Sequence, residues 1–322
     1  MIETAFTRLV GASVPIQVAS MPGVSTLELV SAVARAGALG MVGGALFSAK
    51  SLDAFLERLP RDAPGAVGVN FLVPFLDPEC IPIAARRTRV VEFFYGEPNP
   101  GWVQQAHALG ALVSWQVGSV DEAIAAERAG CDFVVAQGTE AGGHVRGATS
   151  LLPLLSRVLD VLRVPVLAAG GLATPRDLAA VLACGAAGAR MGTRFVASSE
   201  SGAHPSYVKS LLAATAADTC LTQTFSSMWP DAPHRVLRSA IEAAERLPAG
   251  VIGEARFGDR AVPVERFSGL PPTADCTGHV EAMALYAGES VTNVTSVRPA
   301  AEIIAELVAG AERLACSPTS SS

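Results

Sequence analysis

The sequence predicts an α/β fold, a (β/α)8 barrel with an inserted, mainly helical smaller lobe after the eighth strand. Three observations predict it. Short β-rich runs recur roughly every 20 to 30 residues, each followed by a helical pattern. The helical stretches open on capping residues. They close on a glycine, in Ala36-Gly37, Ala129-Gly130 and Cys184-Gly185, where glycine permits the left-handed turn that ends a helix. The repeated strand, cap, helix and glycine make a βα unit. Eight units suit a barrel, with a doubly wound open sheet as the competing arrangement.

The expected strands are Val14 to Ala19, Leu39 to Val42, Val67 to Val73, Val90 to Phe94, Ala111 to Val117, Asp132 to Gln137, Pro165 to Ala169 and Gly188 to Met191. The third and sixth are apolar on both faces, as buried parallel strands are. Ser25-Thr26-Leu27-Glu28 and Ser119-Val120-Asp121-Glu122 match a capping box, in which a hydroxyl and a carboxylate satisfy free amides. Thr174-Pro175 sets a hydroxyl before a proline suited to the first helical position. Residues 1–200 are read as the barrel. The pattern then changes to Trp229, the spaced His204, His234 and His279, and stretches broken by Pro263, Pro271 and Pro272. Residues 201–290 are read as a lobe near the substrate site. Residues 291–316, with the amphipathic run from Arg298 to Val308, return to complete the outer ring. Ser317 to Ser322 is expected to be a disordered tail.

Composition narrows the function. A formal charge of −6 without a basic cluster gives nucleic-acid or anionic-membrane binding little support. Backbone amides still bind an anionic small ligand without lysine. Apolar runs break well before about 18 residues, so no membrane span is expected. The N-terminus lacks a charged-then-apolar signal pattern, and the six cysteines form no CxxC pair. The expectation is a cytoplasmic protein with reduced thiols. Oligomeric state stays open, a homo-oligomer included.

The candidate site lies at the strand ends, where such barrels place their chemistry. The sixth strand runs into Gln137-Gly138-Thr139-Glu140-Ala141-Gly142-Gly143-His144. This segment supplies an amide, two adjacent glycines and an imidazole. His144 has three readings: a solvated loop residue, a structural cap, or an acid–base group whose ordinary pKa suits proton transfer. Glu140 is a second titratable group nearby, and Arg146 and Arg190 are candidate anion partners or salt-bridge residues. The seventh and eighth strands end in Ala168-Ala169-Gly170-Gly171 and Met191-Gly192-Thr193. Glycine loops there suit a phosphate, because bare backbone approaches it and donates amides. The first strand runs into Ala19-Ser20-Met21, and Asn70, Gln116 and Gln137 place buried amides on strands three, five and six. Buried amides need partners. Together these groups suit a flat, neutral heterocycle. They suit no metal, since His and carboxylate do not cluster.

These residues carry a family resemblance. Pro15-Ile16-Gln17-Val18-Ala19-Ser20-Met21, Gly68-Val69-Asn70, Ala136 to His144, Pro165 to Gly171, Met191-Gly192-Thr193-Arg194-Phe195 and the late Tyr286-Ala287-Gly288-Glu289-Ser290 make the chain resemble the nitronate monooxygenases, also called 2-nitropropane dioxygenases. The resemblance covers most of residues 12–200 and 280–310, and 205–275 only weakly. It implies an FMN-dependent barrel. Met21 and Asn70 would contact the flavin, Gln137 would bond its ring or ribityl chain, and Gly142 and Gly143 would pass close to it. Gly170, Gly171, Gly192 and Thr193 would hold its phosphate. Ala19, Ser20, Gln116, Ala169, Met191, Gly288 and Ser290 would complete the expected cofactor-binding set, and His144 would be the acid–base group at the flavin face. The implied reaction oxidises an alkyl nitronate with FMN and O2 to a carbonyl compound and nitrite. Two alternatives stay open. One is an FMN-dependent reductase using NAD(P)H on an enoyl thioester or quinone. The other is a flavin-binding protein without turnover.

Overall fold

A computed structural model describes residues 2–60, 62–257 and 260–316. The Ser317 to Ser322 tail lies outside them. Strands β1 (Ile16–Val18), β2 (Leu39–Gly43), β3 (Ala66–Leu72), β4 (Val90–Phe94), β5 (Leu112–Val117) and β6 (Phe133–Gln137) follow one another around a barrel. A two-residue strand, β7 (Gly143–His144), sits in the loop after β6 and outside the barrel sheet. Strands β8 (Val166–Ala169) and β9 (Gly188–Met191) complete the ring, and β9 pairs in parallel with β1 through Val18 and Met191. All eight expected strands form, and the sheet is closed, which removes the open-sheet alternative.

Helix α1 (Ala5–Val10) precedes β1. It is followed by α2 (Leu27–Arg35), α3 (Ala49–Leu56), α4 (Cys80–Arg87), α5 (Pro100–His107), α6 (Val120–Ala129), α7 (Leu151–Val161) and α8 (Pro175–Ala183), one after each successive barrel strand. The three expected glycine stops take positive φ: +87° at Gly37, +97° at Gly130 and +101° at Gly185. Thr174 caps α8 in a reciprocal box with Asp177. The box expected at Ser25 is displaced by one residue. Thr26 Oγ1 caps α2 by accepting from Leu29 N–H, while Ser25 Oγ accepts from Met21 N–H and so braces the turn after β1. Ser119 caps α6, but the Glu122 carboxylate accepts from Gly118 N–H and binds Arg146.

The period-two alternation of the strands builds the barrel interior in layers. Leu39, Met41, Val90, Phe133, Val135 and Leu167 form an apolar floor against α1, where Phe6 meets Phe133 edge to face at 5.5 Å. One step towards the strand ends, the inward positions become polar: Gln17, Asn70, Glu92, Ser114 and Arg190, all buried. The alternate residues point outward, and Val69, Val91, Phe93, Val113, Trp115 and Met191 pack against the helical ring.

After β9 come the short α9 (Thr193–Val196) and then the lobe, with α10 (Pro205–Leu212) and α11 (Arg238–Arg246). The lobe is less helical than expected. β10 (Thr219–Thr222) and β11 (His234–Leu237) form an antiparallel sheet with β7. β12 (Val251–Phe257), β13 (Arg260–Glu265) and β14 (Thr277–Gly278) form a second antiparallel sheet. The Val262-Pro263-Val264 stretch that suggested irregular chain lies in β13, next to β12, so its proline occupies an edge strand. Helix α12 (Ala300–Cys316) then packs on α8 and α2, closing the ring. No helix among the described residues is long and apolar enough to cross a membrane.

Candidate active site

A cavity of about 250 Å³ opens at the carboxyl ends of the barrel strands, between barrel and lobe. It collects nearly every residue singled out in the sequence. Ala19, Ser20 and Met21 after β1, Asn70, Gln116 and Gln137 on the strands, Gly142, Gly143 and His144, Ala169 to Gly171, Gly192, Thr193, Gly288 and Ser290 all line it. Met191 does not. Strand alternation turns Arg190 inward and sends the Met191 side chain into the outer core; its carbonyl accepts from Ala19 N–H at 2.9 Å.

The cavity floor is a charged network anchored on Glu92, which is fully buried. Its carboxylate accepts from Arg190 Nη1 at 2.5 Å, Asn70 Nδ2 at 2.9 Å, Gln17 Nε2 at 2.9 Å and Ser114 Oγ at 3.0 Å. Asn70 Oδ1 in turn accepts from Ser20 Oγ at 3.0 Å. A buried carboxylate is tolerated only when paired and fully hydrogen-bonded, and these four donors meet that need. The network fixes the Asn70 amide and uses the Arg190 charge. Sequence reasoning missed Glu92. Its signal was present, as one carboxylate inside the apolar run Val90 to Phe94.

The two remaining amides, Gln137 and Gln116, have different surroundings. Gln137 Nε2 donates to the His144 carbonyl at 2.9 Å and its Oε1 accepts from Arg146 N–H at 3.3 Å. Gln137 therefore ties down the loop that carries His144 and also lines the cavity. Gln116 Oε1 is buried and has no hydrogen-bond partner among the described residues.

The glycines divide by task. At Gly142 a Cβ would stand 2.5 Å from Gly288 N, and at Gly288 one would stand 2.8 Å from both Glu140 O and Gly142 N. These glycines let the loop after β6 and the segment before α12 run backbone to backbone, joined by Glu289 N–H to Glu140 O at 2.9 Å, while Gly288 N–H donates to Thr193 Oγ1 at the start of α9, also at 2.9 Å. Gly170 and Gly171 have φ of +111° and +71°, conformations that L side chains disfavour. Among the described residues, no protein acceptor takes the amide N–H of Gly171, Gly192 or Thr193. Bare backbone with free donors suits a phosphate, and the orphaned Gln116 carbonyl suits a donor on a polar ring. The flavin mononucleotide implied by the resemblance fits both ends of this cavity.

His144 stands on β7, and β11 pairs His234 opposite it. The two rings are 5.3 Å apart and differ in state. His234 donates from Nδ1 to Ala232 O and accepts at Nε2 from Phe225 N–H. Both nitrogens are used, so His234 is a neutral structural residue. The His144 ring makes no hydrogen bond among the described residues and is enclosed by Trp229 at 4.2 Å, Tyr286 at 5.7 Å and Tyr95 at 6.1 Å. Burial, and then the neighbouring His234, lower its pKa from 6.5 to about 3. The imidazole is therefore neutral near pH 7, with one N–H to donate and one lone pair to accept. Glu140 accepts from Leu151 N–H at 2.9 Å and serves the start of α7. Arg146 pairs with Glu122 at 2.7 Å and Glu97 at 3.4 Å, so both are structural.

The lobe wall was the part least visible in the sequence. Trp229 meets Tyr95 at 4.4 Å and, edge-on, Phe75 at 5.0 Å. Tyr95 holds a φ of 68°, uncommon for a bulky residue. Tyr207 donates to the Tyr286 carbonyl, and Tyr286 donates to Gly269 O at 2.7 Å. Burial pushes both phenols further up from their ordinary value, so they stay protonated.

A closed βα barrel with glycine loops on its last two strands and an imidazole at its mouth is an enzyme site of the cofactor-binding barrel class. Comparison with known proteins makes the class specific. The family described as nitronate monooxygenase matches residues 79–310, and the chain belongs to it. Among curated relatives, a protein of Rhodococcus jostii named (3aS,4S,5R,7aS)-5-hydroxy-7a-methyl-1-oxo-octahydro-1H-indene-4-carboxyl-CoA dehydrogenase is 34% identical over 74% of this chain and 66% of its own length. A probable nitronate monooxygenase of Staphylococcus haemolyticus is 28% identical over 90% of this chain and 92% of its own. Among solved structures, FabK from Thermotoga maritima superposes with a TM-score of 0.80 at 26% identity, covering 98% of each chain. Nitroalkane oxidase from Streptomyces ansochromogenes superposes with a TM-score of 0.76 at 26% identity, covering 98% of this chain and 100% of that one.

Proposed function

We propose that the protein binds FMN in this cavity and oxidises alkyl nitronates with O2 to a carbonyl compound and nitrite. The observation that carries the reading is the His144 ring: neutral, without a hydrogen bond among the described residues, and walled by aromatics beside the glycine amides. Bound there, the flavin supplies the electron-accepting chemistry. Gly171, Gly192 and Thr193 amides would hold its phosphate, and the Gln116 carbonyl would accept from its ring. A nitronate is already an anion, so no base is needed to start the reaction. His144 donates its N–H to a nitronate oxygen, which needs only the neutral ring. Trp229 keeps water from that contact, and a hydrogen bond to an anion strengthens in a dry site. With a neutral nitroalkane the same ring must accept a proton, and burial makes it a weak base. The nitronate is therefore the better substrate.

Purified protein should be yellow and release FMN on denaturation. It should then produce nitrite from ethyl nitronate with uptake of O2. A protein that cannot be loaded with FMN, or that yields no nitrite from any nitronate, removes this reading. A second reading is an FMN-dependent, NAD(P)H-using reductase or a dehydrogenase acting on a thioester. The Rhodococcus relative, whose name specifies a carboxyl-CoA compound, favours it.

A further inference from the structure

The lobe side of the cavity is aromatic and uncharged. Phe75, from the segment after β3, and Trp229, from the lobe, meet edge to face at 5.0 Å, so their contact joins the two sides of the cavity. Tyr95 backs the indole at 4.4 Å. Met228 and Leu270 add apolar lining.

Nearby cations are already paired. Arg190 is the one Lys or Arg among the described lining residues, and Glu92 takes its charge at 2.5 Å. Arg146, stacked 5.3 Å from the Tyr95 ring, is held by Glu122 and Glu97. Arg235 is held by Glu289 at 3.0 Å. A carboxylate carried into this space would lose water and gain no ion partner, which is unfavourable for a charge leaving water. An alkyl tail would gain contact with each methylene until it met the Trp229–Phe75 wall.

We propose that Trp229 and Phe75 set substrate specificity by closing the cavity around a short, uncharged alkyl tail, and that a tail ending in a carboxylate is rejected. The proposal rests on the nitronate reading of the site and adds the substrate class within it.

The test compares propyl-1-nitronate with propionate-3-nitronate, which share a three-carbon chain and differ by the carboxylate, and ethyl with hexyl nitronate. The FMN-loaded wild type, Phe75→Ala and Trp229→Ala proteins are each assayed for kcat/KM. Binding of 1-nitropropane, 1-nitrohexane and 3-nitropropionate is followed in parallel by the flavin absorbance, a readout independent of turnover. Wild type should favour propyl-1-nitronate by about tenfold or more, in line with the cost of an unpaired group in an apolar site. The hexyl-to-ethyl ratio should rise by about tenfold in the variants as the wall is removed. Phe75 is 39% exposed, so its truncation tests the wall even if Trp229→Ala does not fold. Equal use of the two three-carbon nitronates, or a length ratio unchanged in the folded variants, overturns the proposal. If no nitronate releases nitrite, the functional reading falls. The binding series then still decides the wall: tighter 1-nitrohexane binding in the variants and weak 3-nitropropionate binding in wild type uphold it, and the opposite order overturns it.

Discussion

At the scale of the residue, the two paired histidines show how environment assigns roles. His234 spends both nitrogens on the backbone of its own loop, while the His144 ring makes no hydrogen bond among the described residues and loses water instead. Near neutral pH each ring keeps a single N–H and carries no positive charge. For His144, with the folded value about 3 against 6.5 in the unfolded chain, the native state disfavours the charged form. Its contribution to stability is fully present above about pH 6.5 and is lost as pH falls towards 3. Replacing it by Gln should flatten that loss, so acid-induced unfolding between pH 6.5 and 4 should be shallower in His144→Gln than in wild type. Catalysis follows the same logic. The kcat/KM profile on a nitronate should show no acid limb from His144 between pH 5 and 8, because that profile reports the free enzyme. An apparent pKa near 6.5 that vanishes in His144→Gln would refute the neutral-donor role. On ethyl nitronate, His144→Gln should lower kcat/KM by about 10²-fold, the low end for a positioned proton donor.

At the scale of the element, strand β4 and the loop after β6 carry most of the site's order. Glu92 on β4 gathers donors from β1, β3, β5 and β9, so a single strand position couples half the barrel. Glu92→Gln leaves Arg190 as a buried charge without its counter-ion. The expected loss is about 3–5 kcal/mol, read as a lower urea midpoint. Gly142→Ala sets a Cβ against the backbone of Gly288 and must part the two loops. We expect it to cost about 1–3 kcal/mol, as overpacking does, and to weaken FMN retention in the same sample by opening the Thr193–Gly288 contact. The strands, glycine stops and glycine loops were legible because each rests on local rules: alternation, capping and positive φ. The outward turn of the Met191 side chain was not legible, since strand phase is set by which neighbour turns inward, and Arg190 looked no more inward than Met191 in isolation. The hydrogen bond of Gln137 to the His144 carbonyl was not legible, because it depends on how the loop folds back. Glu92 was legible as an oddity, but its four partners come from four other strands.

At the scale of the whole molecule, the barrel was readable and the lobe was not. A repeated βα unit states its fold many times over, whereas residues 201–290 form short antiparallel strands whose pairing is set by contact with β7 and with one another. The aromatic wall follows from that docking, because Trp229 meets Phe75 and Tyr95 only once the lobe is seated on the barrel. The same division holds for function. In the proposed reading, the barrel's glycine loops hold the cofactor and the lobe wall shapes substrate choice. FMN should therefore stabilise the folded chain, by about 2.7 kcal/mol at a free concentration one hundred times its Kd, and removing it should lower Tm. The central claim is that electrons reach this flavin from a nitronate. The most direct test mixes the FMN-loaded protein anaerobically with ethyl nitronate, NADH or NADPH and follows the flavin absorbance. Bleaching by the nitronate and not by either nicotinamide is the result predicted here. Rapid bleaching by NADH or NADPH, with none by the nitronate, would contradict it and assign the site to the reductases.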